Sequence, residues 1–428
     1  MQRKTRAFPI TNFQEVKQQL LYWANQYSSC SFLDSHHYVS VHQNVECLVG
    51  VGAINTFYPQ ENGQQALQEF IDTTNDWLFG HIAYDYKDVL NPALASNGVD
   101  KVGFEKIHFF QPEIVLQLSL TELRIESLTE APETIFQRII AIQPVNNKLP
   151  QTSLNIKSSI TKKAYLHSIE KLRQHILRGD CYELNFCQEF FATNAVINPL
   201  DVYNQLMQLS PNPFSCYYKN GDKYLLCASP ERYLQKKDCQ LISQPIKGTF
   251  KRDIGNAGAD SKLKHQLYNS SKERAENVMV VDLVRNDLSK ICKEGSVAVT
   301  ELFGIYTFPQ VHQMISTIAG EIKDGIGFSD ILAATFPMGS MTGAPKKRVM
   351  ELINQYEAGQ RGLYAGAVGY IAPNGDFDFN VVIRSILYNA TNQYLSYQVG
   401  GGITFYSNAE EEYKECLLKA EAIRRVLG

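Results

Sequence analysis

Lys247 is the first side chain in this sequence with the setting of a reactive group. It stands in Gln244-Pro-Ile-Lys-Gly-Thr-Phe250, between an isoleucine and a glycine and just after a proline. A lysine so placed is either a turn residue in water or an amine aimed at a substrate, and lysines as a class are mostly exposed. Glu276 shares a helical stripe with Val280 and Leu283, at i, i+4 and i+7. A carboxylate on an apolar stripe is costly unless it is paired or coordinates a cation; otherwise it sits at the stripe edge and reaches water. Arg384 alternates with Val382 and Ile386 in a strand expected over Phe377–Tyr388. An arginine on that apolar face calls for a paired anion such as a carboxylate. Glu412 and Glu415 share one face of a final helix expected over Ala409–Leu427, where an acidic first turn also complements the helix dipole. With Glu276 they offer a cation two or three carboxylates, a set that suits Mg²⁺ with open water positions. Gly400-Gly401-Gly402 follows a strand and lets backbone approach a ligand closely.

These residues need elements to position them. Tyr165, Ile169, Leu172 and Ile176 fall at helical spacing, and Gly179 suits the stop. In the strand expected over Cys181–Phe190, Tyr182, Leu184 and Phe186 face one way. Glu183 and Asn185 face the other, where a glutamate is ordinarily solvated. Glu231 follows Pro230 in Cys-Ala-Ser-Pro-Glu-Arg, and Lys251–Lys264 reads as a polar loop with two glycines. Ser270-Ser-Lys-Glu273 is a capping box that opens a helix running towards Gly295. The stretch from Phe336 resembles a phosphate-binding loop only superficially, because its glycine spacing is wrong and Pro345 replaces a backbone donor. A Gly/Ser/Thr-rich entry into a helix is still a fair anion site. Asn374-Gly375 reads as a hairpin turn.

The first 130 or so residues carry short strand-like runs such as Val45–Gly52 and Ile114–Leu120, with Trp77–Leu90 a strand into a turn. Gly50-Val-Gly52 begins like a dinucleotide fingerprint, but Asn55 stands where the third glycine belongs. A polar seam at Pro144–Thr161 divides an N-terminal region, 1–150, from a C-terminal one, 158–428. The 428 residues, 44% hydrophobic and 20% charged with net charge −3, describe an ordinary globular chain with no basic field for nucleic acid. No apolar run is long enough to cross a membrane, and polar residues interrupt any leader-like start. The nine cysteines form no Cys-x-x-Cys pair and are expected to be reduced thiols of a cytosolic protein.

Taken together, several motifs in one order resemble the chorismate-utilising enzymes. They are Gly179-Asp-Cys-Tyr-Glu-Leu-Asn185, Ala228-Ser-Pro-Glu-Arg232, Pro245-Ile-Lys-Gly-Thr249, Ala275-Glu-Asn-Val-Met-Val-Val-Asp-Leu283, Gly339-Ser-Met-Thr-Gly-Ala-Pro-Lys346 and Val382-Ile-Arg-Ser385. The resemblance covers most of Ile160–Gly428 and, more weakly, Gly80–Leu90 and Phe109–Leu116. It implies an α+β sandwich of two large antiparallel sheets with helices outside, and a Mg²⁺-chorismate site in the C-terminal region. Carried over by motif, Glu276 and Glu415 bind Mg²⁺ with Glu412 close by, and Arg384 and Tyr364 hold the pyruvyl carboxylate. Thr249 and the backbone of Gly400–Gly402 frame the ring carboxylate. Glu231 sits near the ring hydroxyl, and His312 lines the pocket.

Within the family, lysine before Gly-Thr is the pattern of aminodeoxychorismate synthase component I, where anthranilate synthases have alanine. If Lys247 attacks C2 of chorismate and expels the C4 hydroxyl, ammonia must enter at C4 and displace the lysine, which gives the para pattern. Glu231 is then the general acid for the hydroxyl, and desolvation is expected to lower the Lys247 pKa. Glu183 stands where amino-transferring members usually have glutamine and isochorismate synthases a lysine base, and its role is left open. Phe32-Leu-Asp-Ser35 only partly matches the tryptophan-sensing element of anthranilate synthases, so feedback by tryptophan is not expected. The 428 residues show no glutaminase signature, so ammonia is expected from a glutamine amidotransferase subunit or from solution. The alternatives are anthranilate synthase component I, opposed by Lys247; isochorismate or salicylate synthase, opposed by Glu183; and a silent regulatory homologue.

Overall fold

The structure is a computed structural model and describes residues 2–38, 45–58, 63–96, 98–144 and 154–428. Twenty strands among them form one antiparallel hydrogen-bonded network with helices packed on it, an α+β fold. The network has two arms that share the strand Ile107–Leu118. One arm runs from Cys47–Phe57 through Ser29–Asp34, Phe214–Asn220, Lys223–Ser229, Ser385–Asn389 and Tyr394–Ile403 to Glu183–Ala192. The other runs from Leu78–Ile82 through Ala367–Ile371, Phe377–Asn380, Arg232–Lys237 and Gln240–Gln244 to Val311–Glu321. These arms are the two sheets expected from the motifs.

Strand alternation sorts side chains into separate cores. Tyr218 and Leu225 join a core that draws on both arms, with Phe79, Phe109 and Phe379. Their neighbours Tyr217 and Leu226 join a second core under the helices Phe13–Ala24, Pro132–Ile140 and Pro199–Leu209. A third core packs Leu184 and Phe186 against the helices Lys162–Leu177 and Lys346–Tyr356. Register matters most there. A one-residue slip of Glu183–Ala192 would exchange Leu184 and Phe186 with Glu183 and Asn185. At about 1.5–3 kcal/mol for each large apolar side chain, that slip is strongly disfavoured.

The N-terminal and C-terminal regions share both arms, because Ser29–Asp34 and Leu78–Ile82 pair with strands from beyond the seam. Of the seam itself, residues 145–153 lie outside the described residues. Three expectations need correction. Only the start of Lys251–Lys264 is loop, since Asn256 accepts from the Gly258 and Ala259 amides and starts a helix, Ala257–Asn269. The last helix is two, Ala409–Lys419 and Glu421–Leu427. The strand expected over Phe377–Tyr388 stops at Asn380 and resumes at Ser385. There the Val381 amide donates to the Glu231 carbonyl and the Val382 amide to the Gly366 carbonyl, so the chain leaves the ladder. Val382 and Ile386 accordingly sit in different cores. No helix among the described residues is long and apolar enough to cross a membrane.

Candidate active site

A cavity of about 720 Å³ opens where the two arms meet the helices Ser271–Ile291 and Ala409–Lys419. Lys247 reaches it from the strand Ile246–Lys251. The pairing of that strand with Val311–Glu321 shifts register between Ile246 and Thr249, so Lys247 and Gly248 form a bulge. Gly248 has φ +92°, which a side chain would strain, and a Cβ there would meet the Glu273 side chain at 3.0 Å. Glycine after the lysine is therefore a backbone requirement, and the bulge turns the amine off the ladder.

The Lys247 Nζ donates to Glu183 Oε1. Glu183 is 3% exposed, and its second oxygen, Oε2, is buried without a hydrogen-bond partner among the described residues. The face opposite Leu184 and Phe186, expected to be solvated, is thus closed over. Gly402 explains how the pair fits: a Cβ there would lie 2.5 Å from Glu183 Oε1 and 2.9 Å from Lys247 Nζ. At Gly400 the same space holds Cys187 Sγ, 2.5 Å from a built Cβ. These glycines make room for side chains across the sheet as well as baring backbone to the cavity. The Lys247 pKa also departs from expectation. Burial pushes it down, but the carboxylates of Glu183, Glu276 and Glu231 outweigh burial and hold it above the ordinary lysine range.

Glu231, 4% exposed, also lines the cavity. Burial pushes its carboxyl up to about 7, against the opposing pull of a hydrogen bond from Ser340 and the charges of Lys247 and Arg384. Arg384 lies in the gap between strands at φ +52°, a left-handed conformation that costs a non-glycine residue about 1–2 kcal/mol. Its carbonyl accepts from the Ala228 amide at 3.2 Å, and its guanidinium faces the cavity, where burial lowers it to about 10. Tyr364 is buried beside it in the wall, with Cys187 Sγ 3.8 Å from its hydroxyl.

The far wall is acidic. Glu276 is half-buried, and burial raises its carboxyl to about 7, with Lys247 pulling it down and Glu183 and Glu273 pushing it up. Glu412 is buried and likewise raised by burial. Glu415 is more open and pairs with Lys419 at 2.9 Å, which holds its carboxyl below the usual range. Among the described residues, no three such side chains converge into a closed metal-ligand set.

Two expected residues stand apart. His312 is buried behind the wall, its ring bonding Asp260 and Thr307 at 3.0 Å each, and only its neighbours Val311 and Gln313 reach the cavity. Strand alternation turns it away. Gly401 faces the helix that carries Glu412, whose Oε2 would be 3.3 Å from a Cβ. The structure adds Ser340, Lys272, Glu273 and Lys419, none of them a site residue in the sequence reading. Lys272 and Glu273 read locally as a helix start, and Lys419 as an i+4 partner of Glu415. Only their convergence marks them.

The chorismate binding enzyme family model matches residues 21–425. Aminodeoxychorismate synthase component 1 of Bacillus subtilis is 36% identical over 310 residues, covering 72% of this chain and 63% of that protein. The protein of the same name in Escherichia coli is 37% identical over 271 residues, covering 63% and 59%. The chain thus spans about three fifths of the length of these relatives. Anthranilate synthase component I of Streptococcus pneumoniae superposes with TM-score 0.76 at 26% identity, over 90% of this chain and 94% of that one. The menaquinone-specific isochorismate synthase of Escherichia coli, at 18% identity, shares the fold with TM-score 0.76 over 100% and 95%. With the match running from residue 21 to 425, through every wall of the cavity, the chain belongs to the chorismate binding enzyme family.

Proposed function

We propose that this chain is the chorismate-converting component of an aminodeoxychorismate synthase, making 4-amino-4-deoxychorismate from chorismate and ammonia. The observation that carries this is Lys247, a cavity lysine backed by one buried carboxylate and standing near Glu231. The Lys247 amine attacks C2, both conjugated ring double bonds shift by one position and the C4–O bond breaks. Glu231, raised to about 7, gives its proton to the departing hydroxyl, which leaves as water. Ammonia then attacks C4, the C2–N bond breaks and Lys247 is released; the surplus proton on the new amine returns to Glu231. Arg384 and Tyr364 hold the pyruvyl carboxylate, and Thr249 with the Gly400–Gly402 backbone the ring carboxylate.

Glu276 and Glu415, with Glu412 close by, are the residues to hold Mg²⁺. Their oxygen-only donor set, and the burial and neighbouring carboxylates that lift Glu276, fit a hard cation shared with a substrate carboxylate, not an all-protein cage. Bound there, Mg²⁺ would supply charge neutralisation for substrate and glutamates alike. The ammonia source is a glutamine amidotransferase partner, in line with the designation component 1 of the relatives. The free state of all nine cysteines supports a cytosolic location.

The test is the purified protein with chorismate, MgCl₂ and an ammonium salt at alkaline pH, with products separated by chromatography. Aminodeoxychorismate is expected as the main product. Anthranilate or isochorismate in its place overturns the proposal, and no turnover even with an added amidotransferase points to a silent homologue.

A further inference from the structure

We infer that Glu183 is the base for Lys247: it accepts the ammonium proton as the amine attacks and returns it when the amine is released. This rests on the covalent reading above and assigns a residue whose role that reading leaves open. The geometry is a direct, part-buried contact, with the buried Glu183 Oε1 the acceptor for Lys247 Nζ. Oε2 has no hydrogen-bond donor among the described residues, so the lysine is the partner that the carboxylate holds. Gly402 keeps the pair together, since any side chain there would strike both atoms. A glutamine at 183, as amino-transferring members usually have, would hold the lysine but could not take its proton, which would leave to solvent instead.

The step balances. The proton passes from Nζ to Oε1, and the nitrogen lone pair then forms the C2–N bond while the C4–O pair leaves with the Glu231 proton. After ammonia has displaced it, the free amine takes its proton back from Glu183. Other charged groups face Lys247: Glu231 from the loop after Lys223–Ser229, Glu273 and Glu276 from Ser271–Ile291, and Glu415 from Ala409–Lys419. None of them is hydrogen-bonded to Nζ; Glu183 is.

The experiment compares Glu183→Gln with the wild type across pH, using kcat/KM for chorismate, with ammonium saturating. A pair that shares one proton needs no net loss of it, whereas a lysine facing glutamine must lose its proton to solvent. Glu183→Gln is therefore expected to fall about a hundredfold near pH 7. The wild-type to variant ratio then shrinks about tenfold per pH unit towards alkaline pH, and because it is a ratio, ionisation of Glu231 cancels. Glu183→Asp restores part of the rate and flattens the ratio. A deficit that is constant with pH, or no deficit, overturns the assignment. A second arm does not need turnover: competitive acetylation of Lys247, read by peptide mass spectrometry, has its midpoint at lower pH in Glu183→Gln than in wild type. An unchanged midpoint overturns the pairing. If the wild type forms no aminodeoxychorismate, the proposed function has failed, and the acetylation arm still decides whether Glu183 governs the Lys247 proton.

Discussion

Lys87, buried, and Lys247, half-buried, both face a carboxylate, and they are built to opposite ends. Lys87, 1% exposed, spends its three donors on Asp88 at 2.7 Å, the Leu94 carbonyl at 2.7 Å and Ser96 Oγ at 2.8 Å. Asp88 in turn also accepts from the Ser96 amide and from Lys106. Among the described residues the Lys247 amine makes one hydrogen bond, to a carboxylate whose other oxygen has none, and it lines a cavity of about 720 Å³. A saturated polar cluster fixes structure, since every group removed strands another. An unsaturated one, opening on a cavity, keeps its valences for a substrate.

Four substitutions press on this contrast. The largest effect is expected from Lys247→Ala, which should cost aminodeoxychorismate formation on the order of 10³–10⁴-fold. A leak of anthranilate, the ortho product, is expected from leaving C2 open to ammonia; unchanged para product in the separated reaction rules out the covalent role. Lys87→Met should do the reverse. It takes one partner from Asp88, which keeps Lys106 and the Ser96 amide, and is expected to lower unfolding free energy by about 1–3 kcal/mol, read by denaturant titration, while kcat of the folded fraction stays within about twofold. A Lys87 variant that folds normally and loses activity would erase the distinction.

Glu231→Gln comes next, with a kcat loss of about 10²-fold. The sign of its pH dependence follows from the raised carboxyl: the acid is present below about 7 and lost as pH rises through that value. The wild-type rate should therefore show an alkaline limb there, which the variant lacks. The same shift makes Glu231 a stability liability, because a carboxyl raised on folding loses stability as pH rises from its unfolded value towards 7. Glu231→Gln should accordingly have a higher Tm than wild type at pH 8. The smallest effect is expected from Gly402→Ala. Its methyl must displace the flexible ends of Glu183 and Lys247, so turnover should fall about tenfold with Tm nearly unchanged. A turnover equal to wild type would show that the pair tolerates being moved.

Local pattern carried much of the fold. The spacing of Tyr165, Ile169 and Leu172, the Gly179 stop and the alternation in Glu183–Ala192 all act within a few residues, and the structure follows them. The failures lie where distant partners intervene. Arg384 reads as mid-strand because alternation continues through it, but the Val381 and Val382 amides are taken by Glu231 and Gly366, and the strand breaks. His312 sits among motif residues, but strand alternation turns it to Asp260.

The sequence by itself determined most of the elements, the order of the motifs and the residue types a chorismate site requires, because period, capping and turn chemistry are local. Only the tertiary structure decided which groups meet. Lys247 and Glu183 lie 64 positions apart, and nothing in either segment announces the other. Their contact exists because a bulge aims the lysine, a register sets the glutamate on the cavity face, and Gly402 leaves the space between. The protonation state followed the same route: burial alone would have lowered the lysine, and three carboxylates brought in by other elements reversed the sign.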